Sequence, residues 1–196
     1  TTTDPYSPFS SVQPSMTLTF NNGVGSVTLP IEGNYTIDWG NGSLGVNDPS
    51  GTPVGPGPVK IRGTVTRFGN GPQSWTGANE LISLTGWGDV SGLVDLSGAF
   101  YGATSLTQVP TTLPSTVTNL SYMFYGAMAF NSDISGWNTG AVKNMSGMFQ
   151  NATSFDQDLT TWNTESVTDM SFMFQNATAF NSDLSGWITG AVTNMR

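Results

Sequence analysis

The sequence has no cysteine and no histidine, and only five of its 196 residues are Lys or Arg. Without cysteine no disulfide can staple the fold and no thiolate site can hold a metal. Without histidine there is no imidazole to activate a serine, so a conventional serine-hydrolase triad is excluded despite the many serines. Charged residues make up 9% of the chain and the net charge is −8. A phosphate backbone would be repelled, which excludes nucleic acid and an anionic membrane surface as partners. No apolar run approaches the roughly 18–20 residues of a membrane span, so membrane insertion is not expected. What the chain has instead is 24 Gly and 11 Pro among abundant Thr, Ser and Asn, a composition that favours strands and turns over helices.

The dominant pattern is a repeat. Residues 120–144, 145–169 and 170–194 are three copies of one 25-residue unit, and Met195-Arg196 opens a fourth. Phe124, Phe149 and Phe174 fall 25 apart, as do Trp137, Trp162 and Trp187. A fixed period in this range marks units that bury their apolar faces by stacking on one another. Phe124, Met148, Phe149, Phe155, Phe174 and Phe180 are expected in the core of the stack. Two degenerate copies precede the regular ones: Leu84-Thr85-Gly86-Trp87 matches Ile134 to Trp137, and Leu96 to Ala103 matches Leu120 to Ala127 with a slip of one residue.

Upstream, residues 1–15 are a Pro/Ser/Thr-rich stretch expected to be an extended tether. Alternating runs at 16–20, 24–31, 35–40 and 59–68 predict an antiparallel β domain over residues 16–70, with 16–20 and 24–31 joined as a hairpin through Asn21-Asn22-Gly23. Residues 71–119 are expected to be linker and degenerate capping repeats, and 120–196 the regular array. The ends, TTTDPYSPFSS and a broken repeat, are those expected of part of a longer polypeptide.

Two resemblances follow from quoted residues. Tyr35-Thr36-Ile37-Asp38-Trp39-Gly40-Asn41-Gly42-Ser43 resembles the signature strand and turn of PKD-like sandwich domains, with Asn41 where an acidic residue is usual. Asp38 is expected to accept hydrogen bonds from the turn amides. The pattern V-x-x-M-x-x-M-F-x-x-A-x-x-F-x-x-x-L-x-x-W over residues 81–196 resembles BspA-like leucine-rich repeats in their 25-residue form. Together they imply a mainly β protein: a small antiparallel β-sandwich, then a right-handed leucine-rich-repeat-like solenoid. Each coil would carry a short parallel strand near Asp158-Leu159-Thr160 and a short helical or 3₁₀ turn near Ser146–Asn151.

Comparing the copies with one another separates scaffold from surface. Trp137, Trp162 and Trp187 form a ladder that could stack on sugar faces, against the plainer role of core filling. Asp133, Asp158 and Asp183 form a second ladder, held either by turn amides or by a cation between coils, calcium being the one cofactor such a ladder suggests. Asn131/Asp156/Asn181 and Asn144/Asp169/Asn194 are expected to be hydrogen-bonded ladders. Positions 122/147/172 (Tyr122, Gly147, Phe172) and 125/150/175 (Tyr125, Gln150, Gln175) vary while the core positions do not, so they are expected to face outward as a contact surface. Identical repeated carboxylates offer no acid–base pair in distinct environments, so a carbohydrate-active enzyme is disfavoured and no catalytic residue is assigned. The expectation is a non-enzymatic protein on a cell or virion surface that recognises a protein or glycan partner. The alternative is a structural component of a virion or extracellular filament, self-associating into a larger particle.

Overall fold

The computed structural model describes residues 14–42, 44–54, 57–89 and 91–196. Apart from Pro14 and Ser15, the expected tether lies outside the described residues. The protein is mainly β, with one short 3₁₀ turn at Ala78–Glu80 among the described residues. The strands are β1 (Met16–Phe20), β2 (Val27–Thr28), β3 (Ile31–Asp38), β4 (Leu44–Val46), β5 (Ser50–Gly51), β6 (Val59–Phe68) and β7 (Leu81–Trp87).

Five of them make one antiparallel sheet in the order β4-β3-β6-β1-β7, while β2 and β5 pair separately. Strand β1 alternates as its sequence demands: Met16, Leu18 and Phe20 are buried and Thr17 and Thr19 are not. Both edges of β1 are taken, by β6 on one side and β7 on the other. The hairpin expected between 16–20 and 24–31 is therefore not formed. Only Val27–Thr28 of the second run is a separate strand, and it pairs with Ser50–Gly51. Strand β7 contains Leu84-Thr85-Gly86-Trp87, expected to lie in a capping repeat. It is the fifth strand of the sheet, with Leu84 opposite Leu18.

Beyond residue 88 the chain runs as successive turn-rich units, joined by parallel single-residue bridges Arg67↔Asp95, Asp95↔Asn119, Asn119↔Asn144, Asn144↔Asp169 and Asp169↔Asn194. The parallel contact was expected near Asp158–Thr160, but it lies at Asn144 and Asp169. At 158–160 the carboxylate of Asp158 accepts the Thr160 amide at 2.9 Å, a local turn that leaves this segment unsuited to a strand.

The backbone at 145–152 explains how one unit seats on the next. Amides of Met145, Gly147, Phe149 and Asn151 donate to the carbonyls of Asp169, Ser171, Met173 and Gln175 in the following unit. The alternate amides of Met148, Gln150 and Ala152 donate three residues back within the unit. Four of these seven donors are satisfied across and three within, so the expected helical turn at Ser146–Asn151 is a run of reverse turns. Alternation of this kind needs left-handed backbone twice per unit, and φ is positive at Gly98, Tyr122, Gly147 and Phe172 and again at Gly102, Gly126, Asn151 and Asn176.

The same donor pattern starts one step earlier, on the sheet. The Phe68 amide donates to Asp95 O at 3.1 Å and the Gly71 amide to Ser97 O at 3.0 Å. The end of β6 and the loop after it thus serve as the platform for the first unit. A Cβ at Gly98 would fall 1.8 Å from Gly71 O, so only glycine allows this seating. The other end of the seat is β7, whose Leu84 amide donates to Gln108 O at 3.0 Å.

One continuous apolar cluster runs from Met16 through the sheet to Met173. Within the units, Phe100, Phe124, Phe149 and Phe174 stack in a column at centroid separations of 5.4, 5.5 and 5.6 Å. A second column, Phe130, Phe155 and Phe180, steps by 5.8 Å. Phe124, Met148, Phe149 and Phe155 are fully buried, whereas Phe174 and Phe180 in the last unit are half-buried. Each interior unit is covered on both sides, and the last described one on a single side.

Candidate functional site

The sequence-predicted residues separate into an interior set and an outward set. Trp137 and Trp162 are 2% and 3% exposed, and Trp187 is half-buried. Their rings are parallel within 3° at 6.2 and 6.4 Å, and each indole N–H donates to a carbonyl of the preceding unit: Trp137 to Pro110, Trp162 to Ile134, Trp187 to Leu159. Trp137 and Trp162 therefore offer no free face to a sugar. Their apolar bodies fill the interior and their one polar atom is satisfied, as buried indoles require. Trp87 begins the column against Trp137 at 6.5 Å, because the intervening unit has Thr112 at this register and supplies its carbonyl to the Trp87 indole at 2.7 Å.

Asp133, Asp158 and Asp183 stand exposed at the surface. Each accepts the backbone amide two residues on, from Ser135, Thr160 and Ser185, at 2.8–2.9 Å. These amide bonds hold the three carboxyl groups below the usual carboxylate range; the neighbouring carboxylates Asp133 and Asp158 push back on Asp158 and Asp183 respectively. Turn amides are thus present to hold the ladder. Among the described residues no cluster of three or more acidic side chains is arranged to hold a metal ion. Asp38 takes the Gly40 and Gly42 amides, both at 2.9 Å.

The two Asn/Asp ladders differ in kind. Asn131 and Asp156 reach across units, accepting the amides of Asp156 and Asn181 at 3.0 and 2.9 Å. Asn144 and Asp169 cap their own turns, accepting the amides of Ser146 and Ser171 at 2.9 Å, and Asp169 also takes the Asn194 side-chain amide across units at 3.4 Å. Asp95 and Asn119 do the same for Ser97 and Ser121.

The variable positions come together on one stripe. Tyr125 is half-exposed and stacks on Tyr101 at 4.2 Å, 10° from parallel. Tyr122, also half-exposed, lies 6.3 Å from Tyr125. Its ring fills the space over Gly147, where a Cβ would come within 2.6 Å of it. Farther along, the Gln150 side-chain amide donates to Gln175, and Phe172 is exposed. Burial, then the hydrogen bond that its hydroxyl donates to Tyr125, raises the Tyr101 phenol above its ordinary pKa. Tyr101 was not among the expected contact residues. The match of Leu96–Ala103 to Leu120–Ala127 carried the signal, since it aligns Tyr101 with Tyr125.

These features define a mainly β protein whose C-terminal half repeats a 25-residue unit on a sheet-built base. A family model described as Mycoplasma protein of unknown function, DUF285, matches residues 94–196, just over half of the chain, and the chain belongs to that family. The resemblance to BspA-like leucine-rich repeats behind a PKD-like domain is corrected by this match: no leucine-rich-repeat family matches the repeats. No curated protein and no solved structure matches the chain.

Proposed function

We propose that this chain is a non-enzymatic extracellular protein in which residues 94–196 form a solenoid of stacked coils, capped by the antiparallel sheet, that presents a surface for recognition of a protein or glycan partner on a cell. One observation carries the proposal. Six of the residues that differ between copies, Tyr101, Tyr122, Tyr125, Gln150, Phe172 and Gln175, share one outward stripe, while the repeated Phe and Trp are spent on the interior and the repeated Asp on turns. Half-exposed tyrosines on a rigid backbone give contact area at little entropic cost.

Binding of fluorescently labelled protein to intact bacterial and animal cells, read by flow cytometry, tests it. The triple variant Tyr122→Asn, Tyr125→Gln, Phe172→Asn keeps residues that tolerate the local backbone, Asn being at ease with positive φ. Cell binding should fall at least tenfold in that variant. Undiminished binding by a folded variant, or no binding by the parent to any cell, would overturn the proposal.

A further inference from the structure

We infer that the sheet carries a second binding site, for a neutral sugar residue, in the cleft between the 28–32 segment and the 67–76 loop. The cleft has a volume of about 390 Å³, within the range of small-ligand sites and ample for one or two sugar rings. Its walls are fixed by backbone hydrogen bonds between the two segments, Thr28 N to Thr76 O at 3.1 Å and Gly69 N to Pro30 O at 2.6 Å. Preorganised walls lower the ordering cost of binding.

The lining divides by polarity in the way a pyranose does. Leu29, Ile31 and Trp75 line it, and Ile31 and Trp75, 8% and 7% exposed, contribute its apolar surface while Leu29 is buried. Trp75 is locked there, its indole donating to Ala99 O at 3.0 Å and its ring edge-on to Phe20 and Phe68. The rim is polar, with exposed Glu32, Asn70 and Ser74 among its residues. An apolar floor under a ring of hydroxyl, amide and carboxylate groups suits a ligand with C–H groups on one face and hydroxyls around its edge.

Charge selects against anions. The Arg67 guanidinium sits between two carboxylates, Nη1 3.3 Å from Glu32 and Nε 3.5 Å from Asp95. The guanidinium is matched by Glu32 in the lining and by Asp95 beside it, so the cleft offers an anion no uncompensated positive charge, on a chain of net charge −8. Sialylated, sulfated or phosphorylated sugars are therefore disfavoured. The site lies on the sheet base, shares no residue with the tyrosine stripe, and does not rest on the cell-recognition proposal.

A glycan array of neutral, sialylated and sulfated oligosaccharides probed with the full chain, followed by saturation-transfer NMR on the hits, tests this. Neutral glycans should bind and the charged ones should not. Asn70→Ala and Glu32→Gln, both at exposed positions, should each weaken binding about fivefold to tenfold, the loss of one net hydrogen bond. Tyr122→Asn with Tyr125→Gln should leave it unchanged. Absence of any neutral binder, a preference for charged glycans, or binding abolished by the tyrosine variants but not by Asn70→Ala, would each overturn the assignment.

Discussion

The rings of Phe149 and Phe155 lie 3.9 Å apart and 8° from parallel, both fully buried. Each also stacks on its counterparts in the units before and after, so each ring is shared by three units. Truncating Phe149 to Ala opens a cavity that stacked neighbours cannot close, and should cost about 3–5 kcal/mol. Chemical denaturation measures it; a near-neutral midpoint would mean that the column does not hold the stack.

Trp162 contributes a ring and one hydrogen bond, from its indole to Ile134 O at 3.1 Å. Trp162→Phe keeps most of the apolar bulk and removes one of the two hydrogen bonds that the Ile134 carbonyl accepts, the other coming from the Trp137 amide at 3.0 Å. A loss of about 1 kcal/mol, that of one net hydrogen bond, is expected. In the glycan and cell-binding assays a folded Trp162→Phe protein should behave as the parent does, because the ring is interior.

Asn151 has φ of 61° and its side-chain oxygen accepts the Asn176 amide at 2.8 Å. Asn151→Gly and Asn151→Ala both remove that bond, so their difference isolates the backbone. The Ala variant should be less stable than the Gly variant by about 1 kcal/mol, the cost of a Cβ in left-handed backbone. Equal midpoints in thermal or urea unfolding would contradict the turn geometry assigned to the repeat.

The carboxyl groups of Asp133, Asp158 and Asp183 titrate below the ordinary value of 3.8. A group whose pKa is lower when folded binds fewer protons in the native state, so its contribution is present above pH 3.8 and lost as pH falls through the lower, folded value. Replacing all three with Asn preserves an acceptor for each turn amide. It should flatten the fall in melting temperature below about pH 4, the unfolded Asp value. An acid limb unchanged from the parent would place its origin elsewhere. At neutral pH, calcium followed by chelator should leave the midpoint unmoved, since the amides already hold the carboxylates.

Much of the repeat was legible in the linear chain because its signals are local or periodic. The 25-residue period alone aligns Phe149 with Phe124 and Phe174, and an Asx residue two before Ser or Thr supplies its own turn. Tyr122 and Phe172 stood out because unit-to-unit comparison needs no structure. What the pattern could not distinguish was a repeated Trp turned inward from one turned outward, as either would recur every 25 residues. Burial decided that, through carbonyls such as Ile134 O placed to receive the indoles.

The order of residues by itself determined the repeat length, the identity of the stacked columns, the turns and the shortage of charge. These depend on contacts within a unit or between units related by a constant offset. Tertiary structure alone decided that Leu81–Trp87 joins the sheet beside Met16–Phe20, that the end of β6 is the platform for the first unit, and that Glu32, Arg67 and Trp75 line one cleft. Those pairings join segments with no periodic relation. They are settled by which strand edges are already occupied and which apolar faces remain to be covered, conditions met only once the whole chain has packed.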